Sequence, residues 1–267
     1  MIPGMDAENI PVGVGGALGR MGRAVALCVA ERDGMSVGAL FDRPDIQTET
    51  LSSLESALAT CAVVIDFSTG PATAALALAG RSAAVRGERA PALVLGATGL
   101  TVEEEAAVGE ASSRLAIVRS GNFSVGVNVL AGLVEQAARR LGPDIWDIEV
   151  LEAHHRRKVD APSGTALMLA HAAARGRGRD LADLALPPRA GITGPRPDGA
   201  IGMASLRGGG IIGEHSVIFV AEEETVTLSH VARDRALFAR GAVEAAAWVV
   251  RKPPGLYDMV DVLGFRG

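Results

Sequence analysis

The sequence has few aromatic residues: two Trp, one Tyr and six Phe, together 3% of 267 residues. That is too few for a base-stacking platform along single-stranded nucleic acid. It also lacks a strong charge of either sign, and a net charge of −5 argues against nucleic acid as the main partner. No stretch reaches the ~20 apolar residues that a membrane span needs. The opening residues, MIPGMDAENI, show neither a basic nor an apolar region of the export type, and they predict no signal peptide. Cys28 and Cys61 are the two cysteines. They are too few and too far apart for a disulfide framework or a metal site, so no metal is expected. Both read as reduced small hydrophobes, which suits the cytoplasm. Lysine is scarce as well: Lys158 and Lys252 are two of 26 basic side chains, and arginine supplies the others.

What remains is an ordinary globular balance, with 48% apolar and 21% charged residues. The length suits one large or two modest domains. In the first half, strands alternate with helices. PVGVGG, SVGALFD, AVVIDFS, ALVLGAT and LAIVRS read as strands; LGRMGRAVALCVAER, PATAALALAGRSAAV and VEEEAAVGEASSR read as helices. Continuous apolar strands separated by helices predict a parallel sheet covered on both faces. From about Asn122 the rhythm changes. A long amphipathic helix, VGVNVLAGLVEQAARRLG, stops at Gly142 and Pro143, and the strand DIEVLEAHH ends in charge. SGTALMLAHAAA reads as a helix. The polar stretch from RGRGRD to PRPDGA predicts a mobile loop, with RGRGRD a solvated run rather than an RNA-binding tract. IGMASLR, HSVIFVAEE and TVTLSHVA then read as strands of an open or mixed sheet, before the helix ALFARGAVEAAAWVV and a short tail.

The first strand runs into glycines. From Gly16 the pattern is Gly-x-x-Gly-x-x-Gly, through Gly19 and Gly22. Such a turn lets backbone approach a pyrophosphate at a helix N-terminus, with Arg20 placed to reach a phosphate. A ligand-free glycine turn is the plainer alternative. Asp42 ends the second strand twenty positions after Gly22, where an acid can accept hydrogen bonds from ribose hydroxyls. Its neighbour Arg43 could instead hold a 2′-phosphate, so NADH and NADPH both stay open; an exposed Asp-Arg turn is the other reading. Gly96-Ala97-Thr98-Gly99 and Ser120-Gly121-Asn122-Phe123 follow later strands, where open α/β sheets bind ligands.

EAHHRRKVDAPSGTA is the most informative stretch. His154 and His155 can exchange protons near neutrality, and Arg156, Arg157 and Lys158 add positive charge. Pro162-Ser163-Gly164-Thr165 opens a helix, a ready anion site. The combination suits a substrate that carries carboxylates and needs a proton. In a chain that prefers arginine, a lysine here points to proton transfer or to a confined anion pocket.

On these segments the chain resembles the 4-hydroxy-tetrahydrodipicolinate reductase (dihydrodipicolinate reductase) family of the diaminopimelate route to lysine. GRMG, IDFS, GATG, GNFSVGVN, EAHHRRKVDAPSGTA, IGEH and GLYDMVDVL carry the resemblance over nearly the whole chain. It implies an α/β fold: a Rossmann-type parallel-sheet domain over 1–122 and 236–267, and a mixed α/β substrate and oligomerisation domain over 123–235. It implies a cytoplasmic homotetramer that uses NADH and/or NADPH on a small cyclic dicarboxylate, away from nucleic acid and membrane. By motif, His154 and Lys158 resemble the proton-transferring residues. His155, Ser163, Gly164, Thr165 and Thr98 resemble substrate-binding positions. Gly16, Ala17, Leu18, Gly19, Arg20 and Met21, Asp42 and Arg43, Gly96, Ala97 and Thr98, and Ser120, Gly121, Asn122 and Phe123 resemble cofactor contacts. Ala97 stands where the family often has threonine, and Gly210 where it often has aspartate.

Overall fold

The computed structural model describes residues 9–43, 45–46 and 48–265. The first eight residues, which carry most of the segment read for an export signal, lie outside them. The chain forms two compact units, 1–124 with 236–267, and 125–235.

The first unit begins β1 (Ile10–Gly15), α1 (Arg20–Ala30), β2 (Met35–Phe41), α2 (Leu54–Thr60), β3 (Val63–Asp66), α3 (Gly70–Val85), β4 (Ala92–Leu95), α4 (Val102–Ala111) and β5 (Ala116–Arg119). The second unit contributes α5 (Val125–Arg140), β6 (Asp147–His154), α6 (Gly164–Gly176), α7 (Leu181–Leu184), β7 (Ile201–Arg207), β8 (Glu214–Val220) and β9 (Thr225–Val231). The chain then returns to the first unit with α8 (Ala236–Val249), β10 (Gly255–Tyr257) and α9 (Met259–Val262).

The six strands of the first unit are all parallel, in the order β10-β5-β4-β3-β1-β2. Their apolar runs have no polar alternation because both faces are covered. Val12, Val14, Val63, Ile65, Val94 and Val118 face α1 and α8, whereas Val64, Leu93, Leu95 and Ile117 face α2, α3 and α4. Ile65 has no exposed surface, and truncating such a side chain to alanine costs about 2–5 kcal/mol. Two features differ from the sequence reading. The short tail supplies β10, an edge strand paired with β5. Phe123, assigned to the second domain from sequence, packs edge-to-face on Phe67 with ring centroids 5.6 Å apart, which ties it to the first unit.

In the second unit the order is β7-β6-β8-β9, with β6 and β7 parallel and the other pairs antiparallel. A parallel neighbour requires a crossover, which α6, α7 and the polar loop provide. That loop contains the helical turn α7. It is also fastened to β6: Arg196 donates to the carbonyls of Ile148 (2.8 Å) and Ala200 (2.6 Å), and both Arg189 and Arg196 pair with Glu149. The expected mobile loop is therefore a strapped one.

On the face that meets α5 and α6, cross-strand neighbours form ranks. Ile201, Ile148, Phe219 and Val226 make one; Met203, Val150, Val217 and Leu228 make the next. The third rank is polar: Ser205, Glu152, His215 and His230. His154 lies one step beyond it, opposite Arg207.

Candidate active site

In the first unit the chain leaves β1 for β2 on one side and returns to β3 on the other, so β1/β3 is the topological switch point. Open α/β sheets bind ligands outside the strand ends at such a point. A cleft of about 350 Å³ lies there, with Gly16, Gly19, Asp42, Arg43, Asp66 and Phe67 among its walls. Gly16 has φ +66°, and a Cβ on Gly22 would stand 2.2 Å from the Gly16 carbonyl oxygen. Only glycine lets this turn fold back onto its helix. Gly19 caps α1 with no side-chain hydrogen bond, leaving the helix start to backbone N–H groups. The turn is closed from β2: the N–H of Ala17 donates to the Phe41 carbonyl (3.1 Å) and that of Leu18 to Asp42 Oδ2 (2.9 Å). Asp42 Oδ1 accepts from the Arg43 N–H (2.9 Å), while the Arg43 side chain is 69% exposed. Ala17 is buried, Met21 packs on the sheet core, and Leu18 and Arg20 are exposed.

Gly96, Ala97 and Thr98 follow β4, and Ser120 to Phe123 follow β5. The latter form a tight polar turn in which Ser120 Oγ donates to the Asn122 carbonyl (2.8 Å) and the Ser124 N–H donates to Asn122 Oδ1 (2.8 Å). Ala97 and Phe123 are buried, so a ligand would meet Phe123 through its backbone. The sequence reading assigned no role to Asp66. Its buried carboxylate accepts from Thr73 Oγ1 (2.5 Å) and from the Ser68 N–H (3.2 Å), and burial pushes its pKa up.

The second constellation gathers where β6 ends and α6 begins. Ser163 caps α6: its Oγ accepts from the Ala166 N–H (3.1 Å) and lies 3.2 Å from His215 Nε2. Gly164 and Thr165 form the first turn behind it. Glu152 is buried beneath, bound by Arg207 through both nitrogens (2.6 and 2.7 Å), by the Ser163 N–H (3.1 Å) and by His154 Nδ1 (2.6 Å). Burial alone would raise its pKa; the hydrogen bonds from Arg207, Ser205 and His154 reverse that and hold it at about 2. Lys158 Nζ stands 2.8 Å from each oxygen of Asp160. His155 is pushed below the usual imidazole range by desolvation and by the nearby Arg157 and Arg235. Burial, with His154 beside it, lowers His215 to about 4.

The structure thus brings together His154, His155, Lys158, Ser163, Gly164 and Thr165. Thr98 lies in the other unit. Glu152, Arg207, His215 and Arg235 were not assigned from sequence. Glu152 was visible two residues before His154, on the same strand face. Arg207 and His215 come from distant segments and become neighbours by strand pairing with β6; Arg235 lies in the turn before α8. Among the described residues no helix is long and apolar enough to cross a membrane.

A family model described as "Dihydrodipicolinate reductase, N-terminus" matches residues 10–123, and one described as "Dihydrodipicolinate reductase, C-terminus" matches 126–263. The 4-hydroxy-tetrahydrodipicolinate reductase of Caulobacter vibrioides is 55% identical over 260 residues, covering 97% of this chain and 99% of its own. That of Rhizobium rhizogenes is 46% identical over 277 residues, covering 97% and 98%. A solved dipicolinate-bound dihydrodipicolinate reductase from a Paenisporosarcina species superposes with a TM-score of 0.76 at 25% identity, covering 94% and 98%.

Proposed function

The chain belongs to the dihydrodipicolinate reductase family, and from that premise we propose how its own residues carry the family reaction, the pyridine-nucleotide-dependent reduction of 4-hydroxy-tetrahydrodipicolinate to tetrahydrodipicolinate in lysine biosynthesis. The cleft over β1 and β3 fits the nucleotide: an uncapped helix start suits the pyrophosphate, and the glycines admit its close approach. When bound, the nicotinamide supplies the hydride. Gly16 to Met21 hold the phosphates, and Asp42 accepts from the adenosine ribose. Gly96 to Thr98 and the turn from Ser120 to Phe123 hold the nicotinamide end. Arg43, exposed beside Asp42, admits a 2′-phosphate, so both NADH and NADPH serve.

The substrate is a small cyclic dicarboxylate. The start of α6, at Ser163, Gly164 and Thr165, binds one carboxylate, with His155 as a further contact. An ammonium has three donors, and Asp160 engages two of those on Lys158. The third turns to the substrate. Lys158 and His154 handle the proton that balances the charge left by hydride arrival. The observation that carries this reading is the convergence, at one end of β6, of a helix start, an ammonium and an imidazole.

NADH oxidation measured with and without the cyclic substrate tests the reading. Lys158→Ala should lower turnover ~10²-fold or more while leaving NADH binding nearly unchanged. Lys158→Arg keeps the charge but is a very poor proton donor, and it should stay nearly as slow. Near-normal turnover in both variants would reduce Lys158 to a solvated surface charge. We further place the protein in the cytoplasm, in keeping with cysteines that form no disulfide. We also assign it a homotetramer built on the outer face of the second sheet, where Leu151, Leu206 and Val231 are exposed.

A further inference from the structure

We infer that Glu152 and Arg207 are positioning residues that hold His154 in a single tautomer, with the proton on Nδ1 and Nε2 as the reacting atom. The inference rests on the reading of His154 as a proton-transferring group. It follows from counting donors around one buried carboxylate. The side chain of Glu152 is 1% exposed. Its Oε1 accepts from Arg207 Nη2 at 2.6 Å and from the Ser163 N–H at 3.1 Å, and its Oε2 accepts from Arg207 Nη1 at 2.7 Å. Guanidinium and backbone nitrogens can only donate, and the Ser205 hydroxyl hydrogen-bonds the same group, so the carboxylate is surrounded by donors. A carboxylate held this way is ionised and has no proton of its own. The remaining contact, at 2.6 Å, is His154 Nδ1, which against an ionised carboxylate must be the donor. Nε2 has no hydrogen-bond partner among the described residues and lies beside Gly213, where an added Cβ would stand 3.2 Å from it.

Strand register makes the device possible. Glu152 and His154 are two apart on β6 and share a face; Arg207 is the β7 partner of His154. Arg207 Nη1 also donates to the Leu206 carbonyl, and its Nη2 to that of Asp160, each at 2.7 Å. One guanidinium thus ties the carboxylate that orients His154 to the loop that carries Lys158. His215 on β8 faces His154 across a 5.1 Å centroid separation, and Lys158 and His155 lie on the loop that follows β6.

The test is the histidine ¹⁵N–¹H correlation spectrum of the intact protein at a pH where His154 is neutral, with its signal assigned by loss in His154→Asn. The native protein should show His154 protonated on Nδ1. A native signal of the Nε2–H form would overturn the inference, and this measurement needs no substitution at Glu152 or Arg207. Glu152→Gln should mix or invert the tautomers and lower kcat ~10- to 100-fold with KM for NADH unchanged. Arg207→Lys keeps a donor and a charge but loses the bidentate grip; it should fall between native and Arg207→Met in both kcat and tautomer purity. If Glu152→Gln leaves the His154 signal as in the native protein, Glu152 is not what sets it. Failure of the underlying reading has a different signature: His154→Asn would turn over normally while the native spectrum still showed Nδ1–H.

Discussion

Single atoms decide how much room each reacting group has. Gly213 is the clearest case, because its missing Cβ leaves His154 Nε2 open. Gly213→Ala would place a methyl 3.2 Å from that nitrogen, closer than ordinary packing allows. The expected result is a fall in kcat of ~10-fold, about 1.4 kcal/mol, with the thermal midpoint lowered only slightly. Unchanged kcat would show that Nε2 needs no space on that side. Arg43 is the residue proposed to choose between the two cofactors. Its exposed guanidinium has no strong partner in the ion pair with Asp45 at 3.9 Å, so it can swing to a phosphate. Native efficiencies with NADH and NADPH should lie within ~10-fold of each other. Arg43→Ala should weaken NADPH use by ~10-fold and leave NADH use alone, as kcat/KM with each cofactor would reveal. Equal losses with both would instead make Arg43 a general support for the turn.

Among the elements, the polar rank across the second sheet has a pH cost that can be signed. In the folded protein His215 titrates at about 4 against an ordinary 6.5, and Glu152 at about 2 against 4.5. Both folded values are depressed, so the unfolded chain binds more protons as acid is added. The His215 contribution is intact above pH 6.5 and drains as pH falls toward 4. That of Glu152 is intact above about 4.5 and drains toward 2. Urea midpoints should therefore be flat near pH 7 to 8 and decline from about pH 6.5 downward. His154, Glu152, His230 and Lys158 all act on His215, and the net effect keeps it neutral. His215→Gln should flatten the upper part of the decline and leave the lower part. An identical slope in the variant would assign the acid sensitivity elsewhere.

For the whole molecule, the outer face of the second sheet is the informative surface. Ala204, Leu151, Ser216 and Ser229 form one outward rank, and Leu206, Ala153, Glu214 and Val231 the next. A sheet facing water usually alternates strongly polar side chains outward; this face is mostly small or apolar, as a self-complementary interface would be. Light scattering on the eluted protein should give the mass of four chains. Leu206→Glu, 56% exposed in the single chain, should split the assembly without unfolding it. A native single-chain mass would remove the outer face from consideration.

Much of the first unit was legible along the chain. Parallel strands buried on both faces announce themselves as unbroken apolar runs, and a glycine turn between strand and helix is local. The adjacency of His154, His155 and Lys158, and the helix start at Ser163, were legible for the same reason: neighbours in sequence stay neighbours in space. β10 was not, because Gly255–Tyr257 has only three residues and becomes a strand by pairing with β5. Nor was the grip on Glu152. Arg207 lies 55 positions away in sequence, and His215 comes 52 positions after Ser163. The segment EAHHRRKVDAPSGTA on its own supplied the groups proposed here for proton transfer and anion binding. Only the mixed sheet decided how they are oriented, because register across β7, β6 and β8 brings a guanidinium and a neutral imidazole against one buried carboxylate and its helix cap.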